Sequence, residues 1–390
     1  MDTILTPQQQ RDFLQRGFTR RQLGRIATVI TAGSTLPFFG EPALAQLSAI
    51  KGPIPEDAVK IDANENPLGP CEAARGAIQS IIPKGGRYLY NETDLMMQTL
   101  AAMEGIKYDP DPKKSYVRAY PGSSAPLHQA VLAFTSPDRP FVTADPGYEA
   151  GERAAEFVGS KVIRVPLLKN KSYAHDVRAM AAASDKAGLI YICNPNNPTG
   201  TVTPRSDIEW LIENKPKGSV VLLDEAYIHI STEPMCGDLV AKDKDVVILR
   251  TFSKIYGMAG IRAGAALGRP DLLQKIAGYS AGALPITAMV AATASLKDKK
   301  VVPERRKIIA GVREDTFNFL EQHRYSYVPS VSNKFMVDVK RPGRQVIDAM
   351  REKKIYIGRV WPSWPTYVRV TIGTQDEMNK FKSAFVQVMG

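Results

Sequence analysis

One lysine in the sequence stands where an amine can do covalent chemistry. Lys254 follows Ser253 and comes shortly after the apolar run 246–249, so it is predicted to lie at the end of a buried strand. An amine in such a setting loses its charge easily, and the neutral amine can form a Schiff base with an aldehyde. Arg262 follows eight residues later and supplies a cation for a phosphate group. The segment therefore predicts Schiff-base chemistry with a phosphorylated aldehyde.

Three further loops carry polar groups suited to the same chemistry. The turn-rich stretch 194–200 follows the apolar run 189–193, and the run 220–223 ends in Asp224. The Gly-Ser segment 121–126 opens a predicted helix with proline in its first turn, and the free amides of such a helix start favour phosphate. Because parallel sheets bind ligands at the carboxyl ends of their strands, these loops are predicted to meet in one site.

In this order the four segments resemble the cofactor motifs of fold-type-I pyridoxal-phosphate (PLP) aminotransferases of class I and II, in particular the histidinol-phosphate aminotransferase branch. The resemblance extends from about residue 60 to the C-terminus. It implies that Lys254 holds PLP as a Schiff base and, once released, acts as a general base. It also implies that Asp224 keeps the pyridine nitrogen protonated, while Tyr227 and Asn197 hydrogen-bond the phenolic oxygen.

The resemblance also implies the remaining cofactor and substrate contacts. Those at the cofactor are Ser123, Ser124, Ser253 and Arg262 on its phosphate, Tyr148 on its ring face, and Tyr88 reaching from the neighbouring subunit of a homodimer with shared active sites. Those at the substrate are Arg369 clamping the α-carboxylate, Arg359 near a position that holds a distal phosphate, and Asn66 in an N-terminal arm over the site.

Two segments depart from the family pattern and leave the substrate open. Ser124 and Ala125 stand where the family usually has an acid pair, and the segment 359–365 replaces a glycine-bearing loop. Trp361 and Trp364 in that segment would suit a flat or cationic side chain, or they pack the smaller domain. The amino donor is therefore expected to be an L-amino acid or a histidinol-phosphate-like amine.

The implied reaction is a ping-pong transfer of an amino group to a 2-keto acid. The first alternative is a PLP enzyme on the same fold that does not transaminate, either an oxygen-dependent oxidase of a cationic amino acid or a decarboxylase, because the same lysine, aspartate and arginine would serve it. The second is a binding or sensing module, which the presence of the cofactor-site residues disfavours. Release of peroxide and ammonia without a keto acid would distinguish the oxidase.

Apolar runs that alternate with helix-like segments predict an α/β fold whose large domain has a mostly parallel seven-stranded sheet between helices. The runs are 115–119, 141–145, 161–166, 188–193, 219–223, 246–250 and 261–267. A long helical pattern near 285–323 and four later strands predict a smaller α+β domain, and the capping-box form of 206–209 predicts a helix start. The predicted division is 1–45 (signal peptide), 46–94 (N-terminal arm and part of the small domain), 95–285 (large PLP-binding domain) and 286–390 (C-terminal small domain).

The N-terminus has the features of an export signal. The segment 19–25 resembles a twin-arginine motif, and a mildly apolar stretch from 26 to 40 and the small-x-small triplet 43–45 follow it. The combination predicts cleavage after Ala45 and a periplasmic or secreted enzyme that is exported folded with its cofactor. The alternative is an amphipathic N-terminal helix of a folded, cytoplasmic enzyme.

Composition limits the other function classes. The net charge of +11 can attract anionic substrates, but the basic runs carry no interleaved aromatic residues, so nucleic-acid binding is not expected. No apolar run reaches the length of a membrane span, and no stable membrane anchor is expected. Four scattered histidines and three cysteines match no metal pattern, and no metal site is predicted; a Cys71–Cys236 disulfide stays open.

Overall fold

The computed structural model describes residues 4–32, 36, 38–40, 44, 54–279 and 283–390. Its strands are β1 (Val59–Ile61), β2 (Val117–Tyr120), β3 (Phe141–Asp145), β4 (Val162–Pro166), β5 (Leu189–Cys193), β6 (Val220–Asp224), β7 (Val246–Thr251), β8 (Gly264–Gly268), β9 (Ser326–Val328), β10 (Lys334–Asp338), β11 (Ile355–Ile357) and β12 (Tyr367–Thr371). Its α-helices are α1 (Pro7–Gln15), α2 (Arg20–Ala32), α3 (Glu72–Ile81), α4 (Tyr90–Glu104), α5 (Ser124–Phe134), α6 (Ala150–Val158), α7 (Val177–Ala182), α8 (Arg205–Asn214), α9 (Gly237–Ala241), α10 (Pro270–Ala277), α11 (Ile286–Lys297), α12 (Val301–Gln322), α13 (Gly343–Glu352) and α14 (Gln375–Met389).

The central sheet has seven strands in the order β2-β8-β7-β6-β5-β3-β4. The strands from β7 to β4 run parallel, whereas β8 is antiparallel to both of its neighbours. The predicted α/β class with a mostly parallel seven-stranded sheet is therefore confirmed. Every residue of β5, β6 and β7 is buried, as expected for apolar strands covered by helices on both faces.

The register of this sheet brings the predicted site loops to one edge. Cys193 at the end of β5 pairs with Asp224 at the end of β6, and Asp224 in turn pairs with Leu249 near the end of β7. The loops that follow these strands start at nearly the same height in the sheet. They carry Asn197, Tyr227 and Lys254, so the topology places these side chains within reach of one another.

A smaller part of the chain is built on two minor sheets. Strands β12, β10 and β9 form an antiparallel sheet, and β1 pairs in parallel with β11. The second pairing joins the N-terminal arm to the C-terminal part, as expected for an arm that completes the small domain. The domain boundaries themselves stay a prediction.

Two local predictions from the sequence hold only in part. The pattern near 285–323 is helical as predicted, but it forms two helices, because the extended backbone of Asp298 separates α11 from α12. The capping box at 206–209 does not form, because α8 already begins at Arg205, after Pro204, and the side chain of Arg205 donates to Glu209 at 2.9 Å. Proline fixes the backbone just before the helix, and the helix starts two residues earlier than the capping box predicts.

A buried charged triad ties α4 to the large sheet. Arg250 on β7 donates to both carboxylate oxygens of Glu104, at 2.6 and 2.9 Å, and to Glu225. All three side chains are almost completely removed from solvent. The guanidinium donates to both oxygens of Glu104 and to one oxygen of Glu225, which offsets part of the cost of burying these charges.

The predicted export segment is folded in the structure. Helices α1 and α2 bury Phe13, Ile26 and Val29, and α2 packs against α6, so the segment has the helical form that the alternative interpretation expected. Of the cleavage triplet, only Leu44 lies within the described residues. Arg20 and Arg21 are exposed, and export stays a prediction.

Within the described part of the chain, no helix is long and apolar enough to cross a membrane. No group of three or more acidic, histidine or cysteine side chains there could hold a metal ion. The three cysteines are free in the structure, so Cys71 and Cys236 are not joined.

Candidate active site

A cavity of about 480 Å³ lies at the carboxyl edge of the central sheet. Most of the predicted cofactor residues line it: Ser123, Ser124, Tyr148, Asn197, Asp224, Tyr227, Ser253, Lys254 and Arg262. These residues come from loops spread over some 140 positions of sequence, from 123 to 262. They meet in one site, as predicted for loops that follow the carboxyl ends of parallel strands.

The amine of Lys254 is held at the cavity by the N-terminal arm. It donates to the backbone carbonyl oxygens of Asn64 at 3.0 Å and Ala63 at 3.4 Å, and it lies 5.5 Å from the centroid of the Tyr227 ring. The lysine is 8 % exposed, so little water reaches it. A lysine amine fixed by neutral acceptors is suited to nucleophilic attack on an aldehyde.

Asp224 places a carboxylate at the same cavity from the end of β6. It accepts hydrogen bonds from the Tyr191 hydroxyl at 2.9 Å and the Ala226 amide at 3.1 Å. Burial raises the pKa of Asp224 to about 6, because the ionised form is poorly solvated there. The cationic N–H of a protonated pyridine ring would stabilise that ionised form, so the residue suits the role that the resemblance implies.

Tyr227 and Asn197 belong to one hydrogen-bond network around Asn64. The Asn64 side-chain amide donates to the Tyr227 hydroxyl at 3.1 Å and to the Asn197 carbonyl oxygen at 3.5 Å. Arg369 donates to the same Asn197 oxygen at 3.0 Å. The network fixes the two groups predicted to face the phenolic oxygen of the cofactor.

The phosphate end of the cavity is a helix start beside a buried arginine. The side chain of Ser123 does not cap α5, so the amides of the first turn are open to a ligand. Arg262 donates to the Pro121 and Ala259 carbonyl oxygens at 3.0 and 2.9 Å, and burial lowers the pKa of its guanidinium. A buried cation held by carbonyl oxygens favours an anion at this position.

The loop before α5 needs a glycine at position 122, where it meets Arg262. Gly122 has a φ of +94°, and a Cβ on it would lie 2.5 Å from the Arg262 guanidinium. The space that a side chain would take is therefore filled by the cation. A carboxylate at one end, a cation with free amides at the other and an amine between them form a cradle whose chemistry matches PLP.

None of the four predicted substrate and partner residues lines this cavity. Asn66 donates instead to the Ile255 carbonyl oxygen at 3.0 Å, and Arg359 pairs with the buried Glu149 at 2.7 Å. Tyr88 is exposed and stacks on Tyr90, with ring centroids 5.5 Å apart. The first two side chains are engaged by structural partners in this conformation, whereas Tyr88 is free to face a second subunit.

Arg369 lies one layer behind the cavity wall. It is fully buried on β12 and donates to Asn197 and to the Asp62 carbonyl oxygen. Trp361 stacks near both guanidiniums, 4.8 Å from Arg359 and 5.6 Å from Arg369, and its indole N–H donates to Gly147. At least Trp361 therefore packs the small domain, which was the second of the two interpretations of the tryptophan segment.

Two residues at the site were missed from the sequence. Asn64 lies in the same predicted arm as Asn66, and asparagine spacing alone does not show which of the two side chains turns toward the cavity. Lys334 is fully buried on β10, with its ammonium 3.1 Å from the centroid of the Tyr227 ring and 3.0 Å from the Ser332 hydroxyl. A lysine at the start of an apolar strand gives no sequence signal of burial.

The fold and this cavity define a fold-type-I, PLP-dependent aminotransferase. The model of the family described as aminotransferase class I and II matches residues 56–385, and the chain belongs to that family.

Individual relatives point to one branch of it. A histidinol-phosphate aminotransferase from Moorella thermoacetica is 31% identical over 342 residues, covering 86% of each chain. Histidinol-phosphate aminotransferase 1 from Nitrosococcus oceani is 32% identical, covering 85% of this chain and 88% of its own length. The crystal structure of the histidinol-phosphate aminotransferase from Sinorhizobium meliloti in complex with pyridoxal-5'-phosphate superposes with a TM-score of 0.77 at 26% identity, covering 90% of this chain and 94% of that one. The chain is therefore histidinol-phosphate aminotransferase-like.

Proposed function

We propose that this enzyme transfers the amino group of an L-amino acid or a histidinol-phosphate-like amine to a 2-keto acid at the cavity around Lys254. The observation that carries the proposal is the convergence of Lys254, Asp224 and Arg262 on one cavity at the carboxyl edge of the sheet. The cofactor of the Sinorhizobium meliloti structure supports PLP as the group held there.

Each residue has a role that follows from its position. When bound, PLP supplies an electron sink for the charge that develops at the substrate carbon. Lys254 holds the cofactor and, once its amine is released, stays near the Asn64 and Ala63 carbonyl oxygens, where it can move a proton from that carbon. Asp224 holds the proton on the ring nitrogen, while Arg262 and the first turn of α5 bind the phosphate.

The substrate carboxylate is assigned to Arg369. Its guanidinium shares Asn197 with the hydrogen-bond network of Tyr227, so it lies directly behind the groups that face the cofactor. A planar guanidinium recognises a carboxylate through two parallel hydrogen bonds. Arg369 would reach this carboxylate by exchanging a bond to Asn197 or Asp62, and Arg359 would reach a distal phosphate by leaving Glu149.

Amine titration with the purified full chain and PLP tests the proposal. Amino acids are added one at a time, with and without 2-oxoglutarate and oxygen, while cofactor absorbance is followed. We expect a donor to remove the absorbance of the bound cofactor and a keto acid to restore it. Lys254→Ala should abolish the signal, whereas Lys244→Ala, at a surface lysine, should keep it. Oxygen consumption without a keto acid would instead support the oxidase.

We also propose a homodimer with shared sites and export by the twin-arginine route to the periplasm or beyond, with a cytoplasmic location as the alternative. The stacked, exposed pair Tyr88 and Tyr90 supports the dimer, because large aromatic rings on the surface are typical of interfaces. The exposure of Arg20 and Arg21 leaves the export motif accessible on the folded chain. Light scattering tests the first proposal; fractionation of cells carrying the wild type or Arg20→Lys/Arg21→Lys tests the second.

A further inference from the structure

The N-terminal part of the chain lies outside the family match but is built into the enzyme. The family model begins at residue 56, whereas α1 and α2 occupy residues 7–32. Phe13, Phe18 and Ile26 from this part are buried, and the Phe13 ring packs against Tyr279 at 5.6 Å. We call the described residues between 4 and 44 the N-terminal cap. Apolar burial of this extent is what holds a helix pair onto a folded domain.

The cap is anchored to the helix that opens at the phosphate end of the site. Arg16 donates to the carbonyl oxygens of Leu132 and Thr135 at 2.6 and 2.5 Å, at the C-terminal end of α5. A cation is favourable at a helix C-terminus, where carbonyl groups lack partners. The first turn of the same helix carries Ser124 of the cavity. The cap is therefore fixed to one end of the helix whose other end opens at the cavity.

Two adjacent cap residues, Phe38 and Phe39, pack against the middle of α5. The buried His128 ring of α5 lies 6.0 Å from Phe38 and 5.0 Å from Phe39. Phe38 is buried and also packs on Phe157 at 5.6 Å. Phe39 is only half-buried, and together with Gly40 it lines the cavity that contains Lys254. The part of the Phe39 ring that the protein does not cover faces the site.

We propose that Phe39 is a specificity-determining residue, and that the N-terminal cap is retained on the working enzyme as a wall of its active site. The ring forms part of the cavity wall, so a bulky side chain on the amine would meet it, and the site favours primary amines with small side chains over bulky aromatic ones. Steric walls of this kind discriminate by roughly 10- to 200-fold for small differences in size. The proposal rests on the proposed function, because it takes the cavity as the amine site.

Retention is compatible with export but not with cleavage after Ala45. The twin arginines are exposed on α2 while the cap is docked, so a folded chain can present them. Cleavage would remove Phe39 together with its anchors. N-terminal sequencing of the enzyme from the cells that make it is expected to find a chain that includes residue 39. A chain starting at Gln46 would overturn the proposal.

Carbonyl reagents of two sizes measure the width of the site without knowledge of the natural substrate. Hydroxylamine and O-benzylhydroxylamine each form a C=N bond to the cofactor aldehyde carbon, while the bond to Lys254 breaks and the lysine leaves as a free amine. The rates are followed by cofactor absorbance in the PLP-loaded full chain. In Phe39→Ala we expect the rate ratio of the benzyl to the small reagent to rise at least about tenfold.

The chain offers two matched controls. Phe319→Ala removes an equal ring that is half-buried on α12 and does not line the cavity, and Leu14→Ala removes an exposed side chain of α1. Both should leave the rate ratio within twofold of wild type. Trypsin cleavage after Arg16, whose guanidinium is bound to the end of α5 in the docked cap, reports whether the cap stays docked in each variant. An unchanged ratio in Phe39→Ala, with normal cofactor absorbance, would refute the wall; no cofactor absorbance in the wild type would refute the proposed function itself.

Discussion

Replacing Asp224 by asparagine isolates the charge that the site offers to the cofactor ring. Asparagine keeps the shape of the side chain, and its one oxygen can still accept from the Ala226 amide, which lies 3.1 Å from the carboxylate. Its amide nitrogen then faces the Tyr191 hydroxyl, 2.9 Å from the other carboxylate oxygen, and that hydroxyl can accept instead of donating. The main change is therefore the loss of a buried negative charge opposite the ring nitrogen. The change is not expected to open a cavity, because the two side chains have nearly the same volume.

The size of the effect follows from the burial of the carboxylate. A hydrogen bond to a charged group is worth roughly 1.5–3 kcal/mol. Asp224 is only 3 % exposed, so solvent screens this interaction little. Each 1.4 kcal/mol is about tenfold in affinity, so we expect the dissociation constant for PLP to rise about 10- to 150-fold.

Titration of the cofactor-free enzyme with PLP, followed by absorbance, measures this constant. Asp245→Asn is the matched control, because Asp245 lies on the surface and pairs with Lys215 and Arg269. It should bind PLP within twofold of wild type. An Asp224→Asn variant that is folded and binds PLP as tightly as the wild type would refute the assignment of Asp224 to the ring nitrogen.

Three further predictions concern stability and electrostatics. Arg250→Met leaves Glu104 and Glu225 buried without their cation and should lower the free energy of unfolding by about 3–5 kcal/mol, measured by urea denaturation. A triple variant in which both glutamates are also changed to glutamine should recover most of the lost stability. Burial raises the pKa of Asp224 from 3.8 to about 6, so the folded, cofactor-free enzyme holds this proton more tightly than the unfolded chain does. The resulting stabilisation is fully present below pH 4 and is lost as the pH rises through 6, which lowers the free energy of unfolding by roughly 3 kcal/mol. Asp224→Asn should remove this pH dependence. Lys334→Met removes a positive charge that lowers the pKa of Asp224, so the pH midpoint of that stability change should rise, whereas Lys340→Met, at an exposed lysine, should leave it in place.

The sequence predicted the central sheet well because its strands are simple. Runs such as 189–193 and 220–224 are apolar throughout, and alternation with helices leaves few topologies open. The sequence could not show that β8 would run antiparallel between β2 and β7. The direction of β8 depends on the path of the connecting segment 252–263, which contains Lys254 and little regular secondary structure.

The cofactor side chains were predictable because each follows a strand end. Substrate-side residues were harder to predict, since their partners come from distant parts of the chain. Arginine is a residue type that binds phosphate, but Arg359 is paired with Glu149, more than two hundred positions earlier in the chain.

The N-terminal segment was hard to predict for a similar reason, because the apolar stretch after the twin arginines has the same sequence pattern in a signal peptide and in a docked helix. Burial of Ile26 and Val29 appears only in three dimensions.

Mapping the lysine that carries the cofactor tests the central claim most directly. Borohydride reduction of the PLP-loaded enzyme fixes the cofactor on the amine that holds it, and peptide mass spectrometry then locates that amine. The chain offers an internal competitor, because Lys334 is also buried and its ammonium lies against the same tyrosine, Tyr227, as that of Lys254. We predict the added mass on the peptide that contains Lys254. Labelling of Lys334, or of no lysine at this site, would contradict the account.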